Sequence, residues 1–205
     1  MKKLSRNPKR LRGKTVLLVV TGSIAAYKSG DLIQAIRREG GRVVCVMTEC
    51  AKHFVTPLAL RALSGEYVYS DFFSTETPYG VVHTSLVEAA DAVLVAPASA
   101  NFIARLAAGF ADDLASCVIL ATNRPVLVAP AMNDQMYLHP ITQLNIAKLK
   151  QAGYHLIDPV EGRLVCGKEA VGHISDPETI LGFLEKFASV KPRDRKPCIS
   201  PASGK

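Results

Sequence analysis

The sequence predicts an α/β protein: a single doubly wound parallel sheet with helices on both faces. Three observations carry this. Continuous apolar runs of strand length alternate with stretches of helical spacing. Those runs lack the period-two alternation of a half-exposed strand, as expected when both faces are covered. Finally, VLVAPASAN at 93–101 is echoed by VLVAPAMND at 126–134. A pair of copies without a third cannot stack into a solenoid, so the echo reads as two parallel strands of one sheet.

The elements follow in order. TVLLVVT (15–21) is a buried strand ending at Gly22. Ser23 caps a helix over 24–40, with Ile24, Tyr27, Leu32 and Ile36 on its apolar face and Gly40-Gly41 as its stop. RVVCVMT (42–48) is a second strand, and 49–65 gives a short helix, a break at Pro57 and another helix. After a polar loop, AADAVLVAPA (89–98) is a third strand, and 101–122 is one helical stretch. PVLVAPA (125–131) is a fourth strand, and 139–153 is a helix with Pro140 near its start. YHLIDPV (154–160) is a short fifth strand, and 176–189 closes the fold as a capped amphipathic helix. Alternation of this kind makes right-handed crossovers and a Rossmann-like or flavodoxin-like sheet, whose ligands bind beyond the carboxyl ends of the strands.

Composition narrows the function. The 205 residues suit one domain, and the net charge is +7. That charge is concentrated at the ends: residues 1–14 carry seven Lys/Arg and no acid, and 189–205 carry five against one acid. The body, 15–188, keeps 13 basic and 17 acidic groups, a net of −4. The organisation is therefore a basic N-terminal tail (1–14), one folded domain (15–188) and a flexible C-terminal tail (189–205). Two basic tails flanking an acidic body argue against nucleic-acid binding, which needs a basic face on the fold. No apolar run has membrane-span length and no cleavable leader is evident, so a cytoplasmic protein without membrane association is expected. Five cysteines without C-x-x-C spacing imply neither a disulfide framework nor a metal site. Cys45 and Cys117, inside apolar runs, read as small core residues.

The first loop, TGSIAAYK (21–28), has one glycine, unlike a G-x-G-x-x-G or Walker A loop. Gly22 permits close backbone approach, and Ser23 with the N–H groups behind it can hold one terminal phosphate or can simply cap the helix. On the helix after the third strand, Arg105 reads as a solvated or interface residue and Asp112-Asp113 as a helix start.

GSIAAYK after the first strand, FVTPL with LSG, PASAN, PAMNDQMY and a late Cys-Gly occur in one order from about Lys14 to Phe187. The ordered set resembles the flavin-dependent cysteine decarboxylases, most closely the branch acting on phosphopantothenoylcysteine in coenzyme A biosynthesis. That resemblance implies FMN as cofactor and a homo-oligomer, a trimer or a multiple of trimers, with FMN at subunit contacts. It also implies a separate phosphopantothenoylcysteine synthetase as partner. The implied reaction oxidises the amide-blocked cysteine to a thioaldehyde, loses CO2 and re-reduces the enethiolate to phosphopantetheine. No external nicotinamide is consumed.

The resemblance carries roles to individual positions. His83 in VVHTSL matches the active-site base. Asn133 matches the amide that holds the substrate carboxylate, with Met136 and Tyr137 walling the cysteine end of the pocket. Cys166 matches the thiol that protonates the product. Gly22, Ser23, Ile24, Thr48, Ser99 and Asn101 match cofactor-binding positions. Departures exist: Phe102 stands where Thr is usual, Ala170 replaces a glycine, and His173-Ile174 replace Arg-Met. Two other readings are a peptidyl-cysteine oxidative decarboxylase of lantibiotic type, which Cys166 disfavours, and a non-catalytic regulatory relative. A flavin prenyltransferase is disfavoured by PAMN, His83 and Cys166.

Overall fold

The computed structural model describes residues 9–73, 82–163 and 169–190. Six strands make one parallel sheet: β1 (Thr15–Val20), β2 (Arg42–Met47), β3 (Val68–Tyr69), β4 (Ala92–Ala98), β5 (Val126–Pro130) and β6 (His155–Leu156). Their order is β3-β2-β1-β4-β5-β6. The direction in which successive strands are added reverses between β1 and β4, the switch point where such folds open a crevice at the carboxyl edge.

Both faces of the sheet are buried, which is why the strands are continuously apolar. Val16, Leu18 and Val20 of β1 join the core on one side, and Leu17 and Val19 join the core on the other. The first face is covered by α1 (Ser29–Arg38), α2 (Pro57–Ser64) and α8 (Pro177–Phe187). The second is covered by α3 (Val82–Ala89), α4 (Ala100–Ala108), α5 (Leu114–Ala121) and α7 (Pro140–Gln151). Caps fix the helix starts. Asp176 accepts from Thr179 N (2.9 Å) ahead of Pro177, and Thr56 accepts from Ala59 N (3.1 Å) ahead of Pro57.

The two VLVAPA copies lie side by side in the sheet. Val93, Leu94 and Val95 pair with Val126, Leu127 and Val128, each residue against its own echo, and the register then shifts before Ala98 meets Pro130.

Several elements differ from the sequence expectation. The stretch 101–122 is two helices, because Gly109 takes a left-handed φ of +77° and Asp113 starts α5 with a capping box. Residues 24–28 form a 3-10 turn, so Ile24 and Tyr27 are 55% and 61% exposed while Leu32 and Ile36 are buried. Helix α3, strand β3 and a two-stranded antiparallel hairpin, β7 (Val160–Arg163) with β8 (Glu169–His173), were not anticipated. Residues 9–14, placed in the basic tail, pack onto the body. Leu11 is fully buried, and Arg10 bonds Glu178 (2.6 Å) and Glu39. Cys45 is buried, and burial pushes its thiol up to about 12. Cys117 is only half-buried, its thiol bonding Ala111 O (3.1 Å). No helix among the described residues is long and apolar enough to cross a membrane.

Candidate active site

A cleft of about 580 Å³ opens at the carboxyl edge of β1, β2, β4 and β5. Gly22, Ser23, Ile24, Thr48, Ser99, Asn101, Asn133 and Met136 all line it. All six residues expected at the cofactor, and two of those expected at the substrate, therefore share one site. They converge because each follows a buried strand into the crevice.

Side-chain bonds tie the three loops together. Thr21, buried, donates from Oγ1 to Pro97 O (2.7 Å) and accepts from Ser99 N (2.9 Å). Ser23 donates to Ala131 O (3.0 Å) and accepts from Ala25 N (3.3 Å). The loop after β1 is thus stapled to the exits of both echoed strands. Thr21 was visible in the TGSIAAYK stretch, but its bridging role depends on strands distant in sequence.

Asn133 caps the short helix α6 (Asp134–Leu138), its Oδ1 accepting from Gln135 N (2.9 Å). Only the amide oxygen can accept from an N–H, so the bond fixes the amide's orientation. Its NH2 group donates to no protein acceptor among the described residues. The arrangement offers a neutral donor of the kind that binds a carboxylate without holding it in a strong ion pair.

Thr48 is only 8% exposed, and its Oγ1 has no hydrogen-bond partner; it is the one such buried side-chain atom among the described residues. A buried hydroxyl left unsatisfied costs about 1–3 kcal/mol, so this atom marks a position that a bound group completes. Hydroxyls from Thr48 and Ser99 and amides from Asn101 and Asn133 give a mainly neutral donor set. Such a set fits a polyol chain with one phosphate and a heteroaromatic ring, as FMN has. No His/Cys/Asp/Glu cluster among the described residues could hold a metal.

Arg105 also lines the cleft, which its helical position alone did not reveal. It bonds Asp112 and pairs with Asp113 (3.0 Å). The Arg105 hydrogen bond holds the Asp112 carboxyl below the usual carboxylate range. Asp112 and Asp113 thus anchor Arg105, in addition to Asp113 capping α5.

Two expected residues stand apart, and a third is not among the described residues. His83 lies in the first turn of α3, half-buried, its ring edge-on to Phe72 at 6.0 Å between centroids, and does not line this chain's cleft. Tyr137 does not wall the pocket: it packs against the core on the second face, and burial raises its phenol. Met136 and Tyr137 are neighbours on one helical turn and therefore point about 100° apart. Cys166 lies outside the described residues.

The Flavoprotein family matches residues 4–189. The bifunctional coenzyme A biosynthesis protein CoaBC of Haemophilus influenzae is 44% identical over 182 residues, covering 89% of this chain and 46% of the relative. A probable phosphopantothenoylcysteine decarboxylase of Streptococcus mutans is 45% identical over 175 residues, covering 84% of this chain and 98% of that one. The chain therefore spans about half the length of the bifunctional relative and nearly all of the shorter one. Among solved structures, a mutant PPC decarboxylase complexed with pantothenoylaminoethenethiol superposes with a TM-score of 0.78 at 34% identity, over 86% of this chain and 98% of that one. The FMN binding protein AtHal3 superposes with a TM-score of 0.75 at 35% identity, over 86% and 97%.

Proposed function

The chain belongs to the Flavoprotein family, and from that membership we propose that it is an FMN-dependent carboxy-lyase converting phosphopantothenoylcysteine to phosphopantetheine in coenzyme A biosynthesis. The observation that carries the reading is the pairing, in one cleft, of an unsatisfied Thr48 hydroxyl with an Asn133 amide whose NH2 group is turned free. FMN supplies the two-electron oxidation and reduction that an amide-blocked cysteine needs, since a blocked nitrogen cannot form a Schiff base.

The chain's share is binding, orientation and proton handling. Gly22, Ser23, Ile24, Thr48, Ser99 and Asn101 hold the cofactor. The Asn133 amide holds the carboxylate that departs, beside Met136. His83 is the base that generates the substrate thiolate, and Cys166 protonates the product carbon at the end of the cycle. The relatives' printed names support the substrate and the bifunctional relative supports a synthetase as partner; a cytoplasmic setting goes with both.

The test is to load the purified protein with FMN and follow CO2 release and product mass from phosphopantothenoylcysteine. Wild type should yield phosphopantetheine without consuming nicotinamide. Cys166→Ser should release CO2 yet accumulate a product lighter by two hydrogens. Protein that takes up no FMN, or a flavin-loaded form that releases no CO2, would sink the reading.

A homo-oligomer, a trimer or multiple of trimers, belongs to the same proposal. Met136, Leu138, Ile141 and Leu144 leave an exposed apolar patch on α6 and the start of α7. His83, absent from its own chain's cleft, is available to that of a second copy. Light scattering should read three times 22.1 kDa or a multiple. A monomer at micromolar concentration overturns this part alone.

A further inference from the structure

We propose that a second hollow beside the cleft receives the acyl arm of the substrate, and that Lys28 binds the phosphate monoester ending that arm. This rests on the decarboxylase reading above. The hollow, of about 470 Å³, shares Ser23, Ala131, Met132 and Asn133 with the cleft, so it begins where the departing carboxylate is held. Its walls are mainly apolar. Ile24 and Tyr27, left 55% and 61% exposed by the 3-10 turn, face Met132 and the buried Ile174. Large apolar side chains kept in solvent beside a polar cleft suit the dimethyl and methylene groups of that arm.

One boundary of the hollow is marked by charge. Lys28, His173 and Ile174 are shared with a third hollow of about 290 Å³, so they form the boundary between the two. Lys28 is half-buried, yet it makes no ion pair or side-chain hydrogen bond among the described residues. By contrast, Lys14, Lys52 and Lys150 each face a carboxylate. A partly desolvated ammonium gains most from an anion brought to it. Beyond the boundary the third hollow is lined by Asp31, Glu161 and Asp176, which repel an anion. The imidazole of His173 lies over Gly162, where an added Cβ would be 3.0 Å from Cδ2, and lines the same boundary as Lys28. A phosphate arriving along the apolar wall therefore stops at Lys28.

The experiment compares kcat/KM for phosphopantothenoylcysteine and for pantothenoylcysteine, which lacks the phosphate, in flavin-loaded wild type, Lys28→Met and Lys28→Arg. FMN affinity of each is read by fluorescence titration. Wild type should prefer the phosphorylated substrate, and Lys28→Met should cut that preference about 10- to 100-fold, the worth of one charge-assisted hydrogen-bonded contact. Lys28→Arg should keep most of it. An unchanged preference in Lys28→Met overturns the proposal. So does a loss of FMN affinity with the preference intact, which assigns Lys28 to the cofactor's own phosphate. Wild type that binds FMN but turns over neither substrate overturns the decarboxylase reading and this proposal with it.

Discussion

Gly22→Ala is expected to weaken FMN binding about 30-fold, a loss of about 2 kcal/mol. A Cβ at position 22 would sit 2.5 Å from Cys50 Cβ and 3.3 Å from the Cys50 carbonyl carbon. Neither atom can swing aside as the end of a long side chain would, so one loop must move. The β1 loop is held by Thr21 bonding Pro97 O and Ser99 N and by Ser23 bonding Ala131 O. The β2 loop is held by Thr48 N bonding Val20 O (3.1 Å). Either displacement moves a cleft hydroxyl, Ser23 on one side or Thr48 on the other. Fluorescence titration of the apoprotein reads the loss. Cys50→Gly in the same chain removes the facing Cβ and should recover most of it, a double-mutant cycle with a large coupling. Wild-type affinity in Gly22→Ala, or no recovery in the pair, shows that the loops are not packed as described.

What was legible in the sequence follows from how local each signal is. The strands declared themselves because a sheet covered on both faces needs unbroken apolar runs. The echo even encoded its own pairing, Val93 against Val126. The hairpin β7–β8 was not legible because VEGR and EAVGH hold few apolar residues and take their pairing from each other across the chain. The break between α4 and α5 had its signals, Gly109 and Asp113, but apolar spacing on both sides masked them. The residues expected at the cofactor came from the family resemblance, and the fold gathers them in one cleft because each lies in a segment just beyond a strand's carboxyl end. Arg105, Thr21 and Lys28 acquire their places only through elements distant in sequence. Tyr137 shows the limit of motif reading: adjacency to Met136 on a helix guarantees different faces, not a shared one.

Gly172→Ala is expected to lower kcat/KM about 100-fold while changing FMN affinity less, because its clash bears first on the turn at Asn133 and reaches the β1 loop only through the Ser23–Ala131 bond. Gly172 takes φ of +142°, a conformation that L side chains rarely adopt, and its carbonyl accepts from Met132 N at 3.1 Å. A Cβ there would lie 2.2 Å from Met132 O and 3.5 Å from Asp134 N. These are peptide atoms on either side of Asn133, so the hairpin braces the turn that presents the Asn133 amide. An alanine must push that turn away or unseat β8, and both outcomes misplace the Asn133 NH2 group. The staples of the β1 loop to Pro97 and Ser99 lie elsewhere and stay intact. Steady-state kinetics beside FMN titration separates the cases: unchanged kcat/KM removes Gly172 from substrate positioning, and equal losses in both make it a general support of the fold. Because the obstacle is a backbone oxygen, trimming the neighbouring side chain with Met132→Ala should leave the defect in place. That distinguishes Gly172 from Gly22, whose obstacle is a side-chain carbon that mutation can remove.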